Sequence, residues 1–349
     1  MSDLLAERRG DLGLLTLNRP ESLNALTTSM CQAMLDTLLR WRDDPRIKQV
    51  VVTGAGERGL CAGGDIVAIY RDIKNRTGAT EEFWRIEYQL NALISEYPKP
   101  YIALMDGIVL GGGIGISAHG SHRIVTERSK CGMPEVGIGF FPDVGGTYLL
   151  ARAPRPAGRY AALTGASFGA ADAITLGLAD VHVSSHRLAE LLRKLETEPV
   201  DAMLHKFASI PAPGSLAQQW VQSFAAKDLA QIRNHLAESN DPGSAQALQR
   251  LARACPSSVD LVNTLCELAG SDLRQDLKRE FRAAVHRLDD PDFAEGIRAQ
   301  VIDKDRTPRW SITREGFSAQ QRISAHLAPL PTAELDFQLI NKSPSRNKE

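Results

Sequence analysis

Imbalance of charge is the first thing this chain lacks. Its 349 residues carry 41 Lys and Arg against 42 Asp and Glu, a net charge of −1. No basic surplus argues for a nucleic acid or an anionic membrane as partner, although local basic groups remain free to grip a phosphate. No apolar run approaches the roughly 20 residues of a membrane span. Cysteine pairs are missing too. Cys31, Cys61, Cys131, Cys255 and Cys266 form an odd, scattered set without a C-x-x-C. Neither a disulfide framework nor a zinc ribbon is spelled, and a reducing, cytoplasmic setting is expected. Residues 1–7 include acidic groups and no apolar core, so neither a signal nor a transit peptide is expected.

Phosphate and metal motifs are absent as well. There is no Walker A loop. Gly111-Gly112-Gly113 is not G-x-G-x-x-G, since the last position falls on Ile116 or Ala118. His119 with His122, and His182 with His186, lack the acidic partner of an H-E-x-x-H pair. Gly165-Ala166-Ser167-Phe168-Gly169 spells G-x-S-x-G, but that elbow needs a preceding strand, and Arg159 to Leu163 reads as helix.

What is present is strand–helix alternation. Residues 11–18 read as a strand broken at Asn18-Arg19-Pro20. Met30, Met34, Leu35, Leu38 and Trp41 repeat at helical spacing over 27–43. Gln49 to Thr53 is a short apolar strand. Cys61-Ala62-Gly63-Gly64-Asp65 is a glycine turn leading into a helix from Ile66. A longer helix covers 81–96 and stops at Pro98-Lys99-Pro100, before a strand over 101–105. The pattern predicts an α/β unit with helices packed on sheets. Beyond Gly145 strands become rare, and 187–300 is mostly helical. No internal repeat is visible. The expected organisation is a core over 1–185, a helical region over 186–330 and a loose polar tail over 331–349.

Three sets of residues carry candidate chemistry. Gly64 and Gly112 each stand at a strand-to-helix turn. There a free amide and the positive end of a helix dipole suit a developing oxyanion, at roughly 3–4 kcal/mol per donor. Close helix-on-sheet packing is the plain alternative for both. Glu135 and Asp143 lie eight residues apart on backbone interrupted by Pro134, Gly137, Gly139 and Pro142, amid Val136, Ile138, Phe140 and Phe141. Carboxyls in apolar surroundings drift toward the pKa range useful for proton transfer. Capping is the alternative, and for Asp143 ahead of a helix at Val144 it is the better reading from spacing alone. Glu87, on the 81–96 helix, reads as a solvated surface charge.

Taken together and in order, these segments resemble the crotonase (enoyl-CoA hydratase/isomerase) superfamily. Asn18-Arg19-Pro20-Glu21-Ser22-Leu23-Asn24-Ala25-Leu26 is similar to its opening motif. Cys61–Asp65 and Gly107–Gly115 are similar to its two oxyanion segments, and Thr164-Gly165 through Gly177–Asp180 to the helical motif that follows. Phe141-Pro142-Asp143-Val144-Gly145-Gly146, Glu87-Tyr88, and Phe293–Ala299 with Ile302–Asp305 and Pro308-Arg309-Trp310 extend the likeness to the 3-hydroxyisobutyryl-CoA hydrolase branch. The resemblance implies a crotonase-like (ClpP/crotonase) spiral of β–β–α turns with a helical C-terminal region. It implies an acyl-CoA thioester as substrate and the amides of Gly64 and Gly112 on its oxygen. It places Glu87, Gly112, Glu135 and Asp143 around the acyl group, overturning the surface-charge and cap readings.

Two departures sharpen the expectation. Gly115 stands where hydratases of the superfamily carry a second catalytic glutamate, and Asp143 stands where they carry glycine. The expected reaction is hydrolysis of 3-hydroxyisobutyryl-CoA or a similar short β-hydroxyacyl-CoA, in valine breakdown. Glu135 would be base or nucleophile, Asp143 the orienting and proton-transferring group, and Glu87 the reader of the 3-hydroxyl. No metal or redox cofactor is expected, coenzyme A being part of the substrate. Partners are expected to be the acyl-CoA alone, without nucleic acid or membrane, with a homo-oligomer open. Arg19, Lys304 and Arg306 are candidate phosphate contacts. The alternatives are an isomerase or hydratase of the same superfamily, a weakly catalytic acyl-CoA-binding protein, and a serine hydrolase using Ser167.

Overall fold

The computed structural model describes residues 2–226, 228–311 and 318–341. Its strands are β1 (Leu4–Arg9), β2 (Leu12–Leu17), β3 (Gln49–Gly54), β4 (Gly59–Cys61), β5 (Tyr101–Met105), β6 (Ile108–Leu110), β7 (His122–Val125), β8 (Lys130–Gly132), β9 (Ser167–Phe168) and β10 (Val181–His182). The helices of the first half are α1 (Thr28–Asp43), α2 (Ile66–Asn75), α3 (Ala79–Ser95), α4 (Gly112–Gly115), α5 (Gly146–Arg152), α6 (Arg155–Thr164) and α7 (Ala170–Thr175). The second half is helical: α8 (Leu188–Lys194), α9 (Val200–Phe207), α10 (Leu229–Glu238), α11 (Pro242–Arg253), α12 (Pro256–Leu268), α13 (Leu273–Arg287), α14 (Pro291–Ile297), α15 (Ala319–His326) and α16 (Gln338–Asn341).

From β3 to β8 successive strands alternate between two sheets. β1-β2-β3-β5-β7-β10 form a six-stranded sheet and β4-β6-β8-β9 a four-stranded one. The β3–β4, β5–β6 and β7–β8 pairs each lay one strand in each sheet, and helices follow each pair. This repeat produces the β–β–α spiral. The inner strands pair in parallel; β1 with β2 and β8 with β9 are antiparallel. Strand side chains alternate between two faces. Leu12, Leu14, Val51, Ile102, Leu104 and Ile124 therefore pack with α8 and α9 in one cluster. Leu15, Leu17, Val50, Val52, Ala103 and Met105 face the main core. That core includes Phe281, Phe293 and Ile340 of the C-terminal helices as well as α1 and α3.

The stretch expected as a loose tail is anchored as far as Asn341. Leu335, Phe337 and Ile340 are buried. The Arg274 guanidinium lies 5.0 Å from the Phe337 ring centroid, and Arg282 pairs with Glu334 at 2.9 Å. Three apolar side chains in a polar stretch suffice to dock it. Residues 342–349 lie outside the described residues.

Candidate active site

The site begins at two glycine turns. β4 ends at Cys61, and the chain turns through Gly63 (φ +109°) and Gly64 into α2, which the Asp65 side chain caps by accepting from Ala68 N at 3.1 Å. β6 ends at Leu110, and Gly111 (φ +51°) turns the chain into α4. Among the described residues the amides of Gly64 and Gly112 donate to no acceptor. The turns are close: a Cβ on Gly112 would stand 3.4 Å from Gly64 N and 2.5 Å from Glu87 Oε1. A Cβ on Gly111 would stand 2.6 Å from Glu135 Oε1. Glycine here lets two carboxyls approach the turn from either side.

The predicted site residues meet in one cavity of about 550 Å³, lined by Gly64, Glu87, Gly112, Glu135 and Asp143. Glu87 is 2 %, Glu135 8 % and Asp143 6 % exposed. Glu87 is thus no surface charge, because α3 is buried nearly all round, with Trp84, Tyr88 and Asn91 also inside. Nor does Asp143 cap a helix. Val144 and Gly145 take φ +53° and +78°, so α5 starts only at Gly146, and the Asp143 carboxyl turns to Tyr88, whose hydroxyl donates to Oδ2 at 2.7 Å. Glu87 Oε1 and Glu135 Oε2 have no protein partner. Trp84, Phe140 and Phe293 stack over the cavity, Phe140 lying 5.2 Å from Trp84 and 4.5 Å from Phe293.

Burial sets the electrostatics. It pushes Glu87 and Glu135 well above the ordinary carboxylic range, with Asp143 adding like-charge repulsion on both. Burial also raises Asp143, while the Tyr88 hydroxyl pulls it back, leaving it at about 7. The cluster therefore retains protons at neutral pH and can both give and take them. Two unengaged amides beside such carboxyls can polarise a carbonyl and move protons around it.

Other sequence candidates lie elsewhere. Ser167 is exposed on β9 and outside the cavity lining. His119 is buried and its Nε2 donates to Val144 O at 2.7 Å; His122 faces Asp201 and His182 faces Ser209. Arg19 donates to Ala25 O and Asp65, Lys304 and Arg306 are exposed, and none of the three lines the cavity. The cations on its wall are Arg250 and Arg253 of α11. Neither forms an ion pair among the described residues, and Arg250 Nε has no partner. Glu280 of α13 also escaped notice. It is fully buried beside the Asp143 loop, and its position on the apolar Leu277–Phe281–Ala284 stripe was the available signal.

This architecture is a crotonase-like fold. Residues 12–327 match the enoyl-CoA hydratase/isomerase family, and the chain is an enzyme of that family. The mitochondrial 3-hydroxyisobutyryl-CoA hydrolase of Mus musculus is 34% identical over 96% of this chain and 91% of its own length. A carnitinyl-CoA dehydratase from Mycobacterium thermoresistibile superposes with TM-score 0.92 at 42% identity, covering 97% of this chain and 99% of its own. An enoyl-CoA hydratase from Rhodobacter sphaeroides 2.4.1 superposes with TM-score 0.87 at 37% identity, covering 96% and 100%.

Proposed function

We propose that this enzyme hydrolyses a short β-hydroxyacyl-CoA thioester, 3-hydroxyisobutyryl-CoA foremost, to the free acid and coenzyme A. The observation that carries the reading is the pair of unengaged amides at Gly64 and Gly112 set between the Glu87 and Glu135 carboxyls. The thioester oxygen accepts from both amides. Glu135 takes a proton from water as the water oxygen bonds to the carbonyl carbon. The C–S bond then breaks, and the sulfur leaves with a proton passed through the carboxyl cluster. In the variant route the Glu135 carboxylate attacks the carbonyl carbon, and the C–S bond breaks as the sulfur leaves with a proton from the carboxyl cluster. Water then cleaves the resulting anhydride to the free acid and the regenerated Glu135 carboxyl. Oxygen-18 from water reaches the enzyme carboxyl in a single turnover only by that second route. Asp143, tethered by Tyr88, orients the hydroxyl or water, and Glu87 reads the substrate 3-hydroxyl. A site built for a hydroxyl rejects the analogue lacking one, because its polar groups are left unpaired. Every step is acyl or proton transfer, so the scheme needs no metal or redox cofactor.

Hydration or dehydration is the second reading, favoured by the names of the two solved neighbours. Position 115 speaks against it. A Cβ there would stand 2.7 Å from Val144 Cβ and 2.9 Å from Asn91 Nδ2, leaving no space for a second glutamate. Valine breakdown follows as the pathway if the substrate is 3-hydroxyisobutyryl-CoA. The five unpaired cysteines suit a reducing compartment; the cytoplasm is our reading, although the hydrolase relatives are named as mitochondrial. The test is thiol release from 3-hydroxyisobutyryl-CoA beside 3-hydroxypropionyl-, isobutyryl- and crotonyl-CoA, with catalytic amounts of protein. Fast release from the β-hydroxy esters alone supports the proposal. Loss of the crotonyl double bond without thiol release refutes it.

A further inference from the structure

We propose that Glu280 and Phe281, adjacent on α13, are positioning residues for Asp143, so that the C-terminal helices complete the reacting constellation instead of merely covering it. The inference rests on the reading of Asp143 as a group that acts on the acyl substrate.

The loop after Asp143 is held in a conformation it would not choose. Val144 is β-branched and sits at φ +53°, where its Cβ crowds the backbone. Such a residue persists only where its surroundings over-determine it. The surroundings here are specific. His119 Nε2 donates to Val144 O at 2.7 Å. Gly145 N donates to Glu280 Oε2 at 2.7 Å, and Thr147 N to Oε1 at 3.1 Å; the Thr147 hydroxyl also donates to Oε1. One fully buried carboxyl thus gathers three donors from the four residues after Asp143, across 135 positions of sequence.

Phe281 reaches the same aspartate through Tyr88. Its ring meets Tyr88 edge-to-face at 6.0 Å, and Tyr88 is the residue that donates to Asp143 Oδ2. The backbone of Asp143 is therefore fixed through Glu280 and its carboxyl through Phe281 and Tyr88. A carboxyl buried for stability alone is a poor device, since its own desolvation opposes it and pushes Glu280 up to about 8. Its retention at this turn is explained by what it aims.

The test is a double-mutant cycle on thiol release, read in single turnovers at high enzyme concentration. Glu280→Gln, compared at about pH 9 where the parent carboxyl is ionised, keeps the shape but turns an NH2 toward an amide donor. It should lower kcat by about 10²-fold, the scale of a roughly 1 Å misplacement, with KM within about threefold of the parent. In an Asp143→Asn background the same change should cost almost nothing, because the two residues act as one unit. Should Glu280→Gln fail to fold, Phe281→Leu is read in the same cycle. Equal losses in both backgrounds, or a lower Tm with unchanged kcat, would overturn the inference. An Asp143→Asn enzyme with full activity would instead sink the reading of the site itself, and the inference with it.

Discussion

Tyr88→Phe isolates one hydrogen bond at the heart of the cluster. The hydroxyl donates to Asp143 Oδ2 at 2.7 Å inside the protein, and burial keeps the phenol protonated far above its usual range. It is therefore a donor throughout an assay from about pH 5.5 to 9.5. A hydrogen bond to a charged group contributes about 1.5–3 kcal/mol, and 1.4 kcal/mol corresponds to one pH unit. The bond favours the carboxylate, so removing it favours the acid. The limb of the kcat/KM profile belonging to Asp143, at about 7 in the parent, should move up by roughly one to two pH units. If the ionised form turns over, a one-unit move makes the variant about fivefold slower at pH 7 and restores its rate near pH 9. If the protonated form turns over, the active range widens upward instead. Asp143→Asn should erase the limb, which assigns it. A limb that stays in place or moves down in Tyr88→Phe would refute the argument.

Three further outcomes follow from the same geometry. Glu87 is raised well above its ordinary range, so the folded state holds a proton the unfolded chain releases, and stability declines as pH rises past about 4.3 toward the folded value. Glu87→Gln should lose activity yet gain thermal stability at pH 8 with little gain at pH 4, and an equal gain at both would disprove the linkage. Gly115→Ala should cost about 1–3 kcal/mol in denaturant melts by overpacking against Val144 and Asn91, and Gly115→Glu should yield no hydration of crotonyl-CoA. Arg250→Ala and Arg253→Ala should raise KM for the CoA thioester but not for its N-acetylcysteamine analogue, which has no phosphates; equal effects on both would remove these residues as phosphate contacts.

Much of this arrangement was legible as pattern. The apolar runs at 49–53 and 101–105 are strands because both faces of the sheet are covered. The pairing of Glu135 with Asp143 was readable because prolines and glycines confined both to one loop amid aromatic residues. What failed to show depended on contacts from afar. β1 was missed since five of its six side chains face solvent and leave no periodic trace. Glu87 looked like any charge on a helix until α3 proved buried nearly all round. The resemblance corrected that residue, where spacing could not. Glu280 and the docking of Phe337 arise from the packing of the last third of the chain, which neither motif nor spacing records.

That reach across the chain bears on how the molecule comes into being. Glu87, Glu135 and Asp143 all leave the ribosome before α13 has been made. Until it and α14 dock, the turn at Val144 lacks the carboxyl that gathers its amides, and Trp84 and Phe140 lack the Phe293 ring that stacks on them. A nascent chain ending near residue 185 therefore carries its acidic groups in an open, wet groove, with an apolar surface exposed. Closing loops of this length is slow, and surfaces of that kind aggregate while they wait. The contacts that hold the Asp143 turn can form only once the final helices seat.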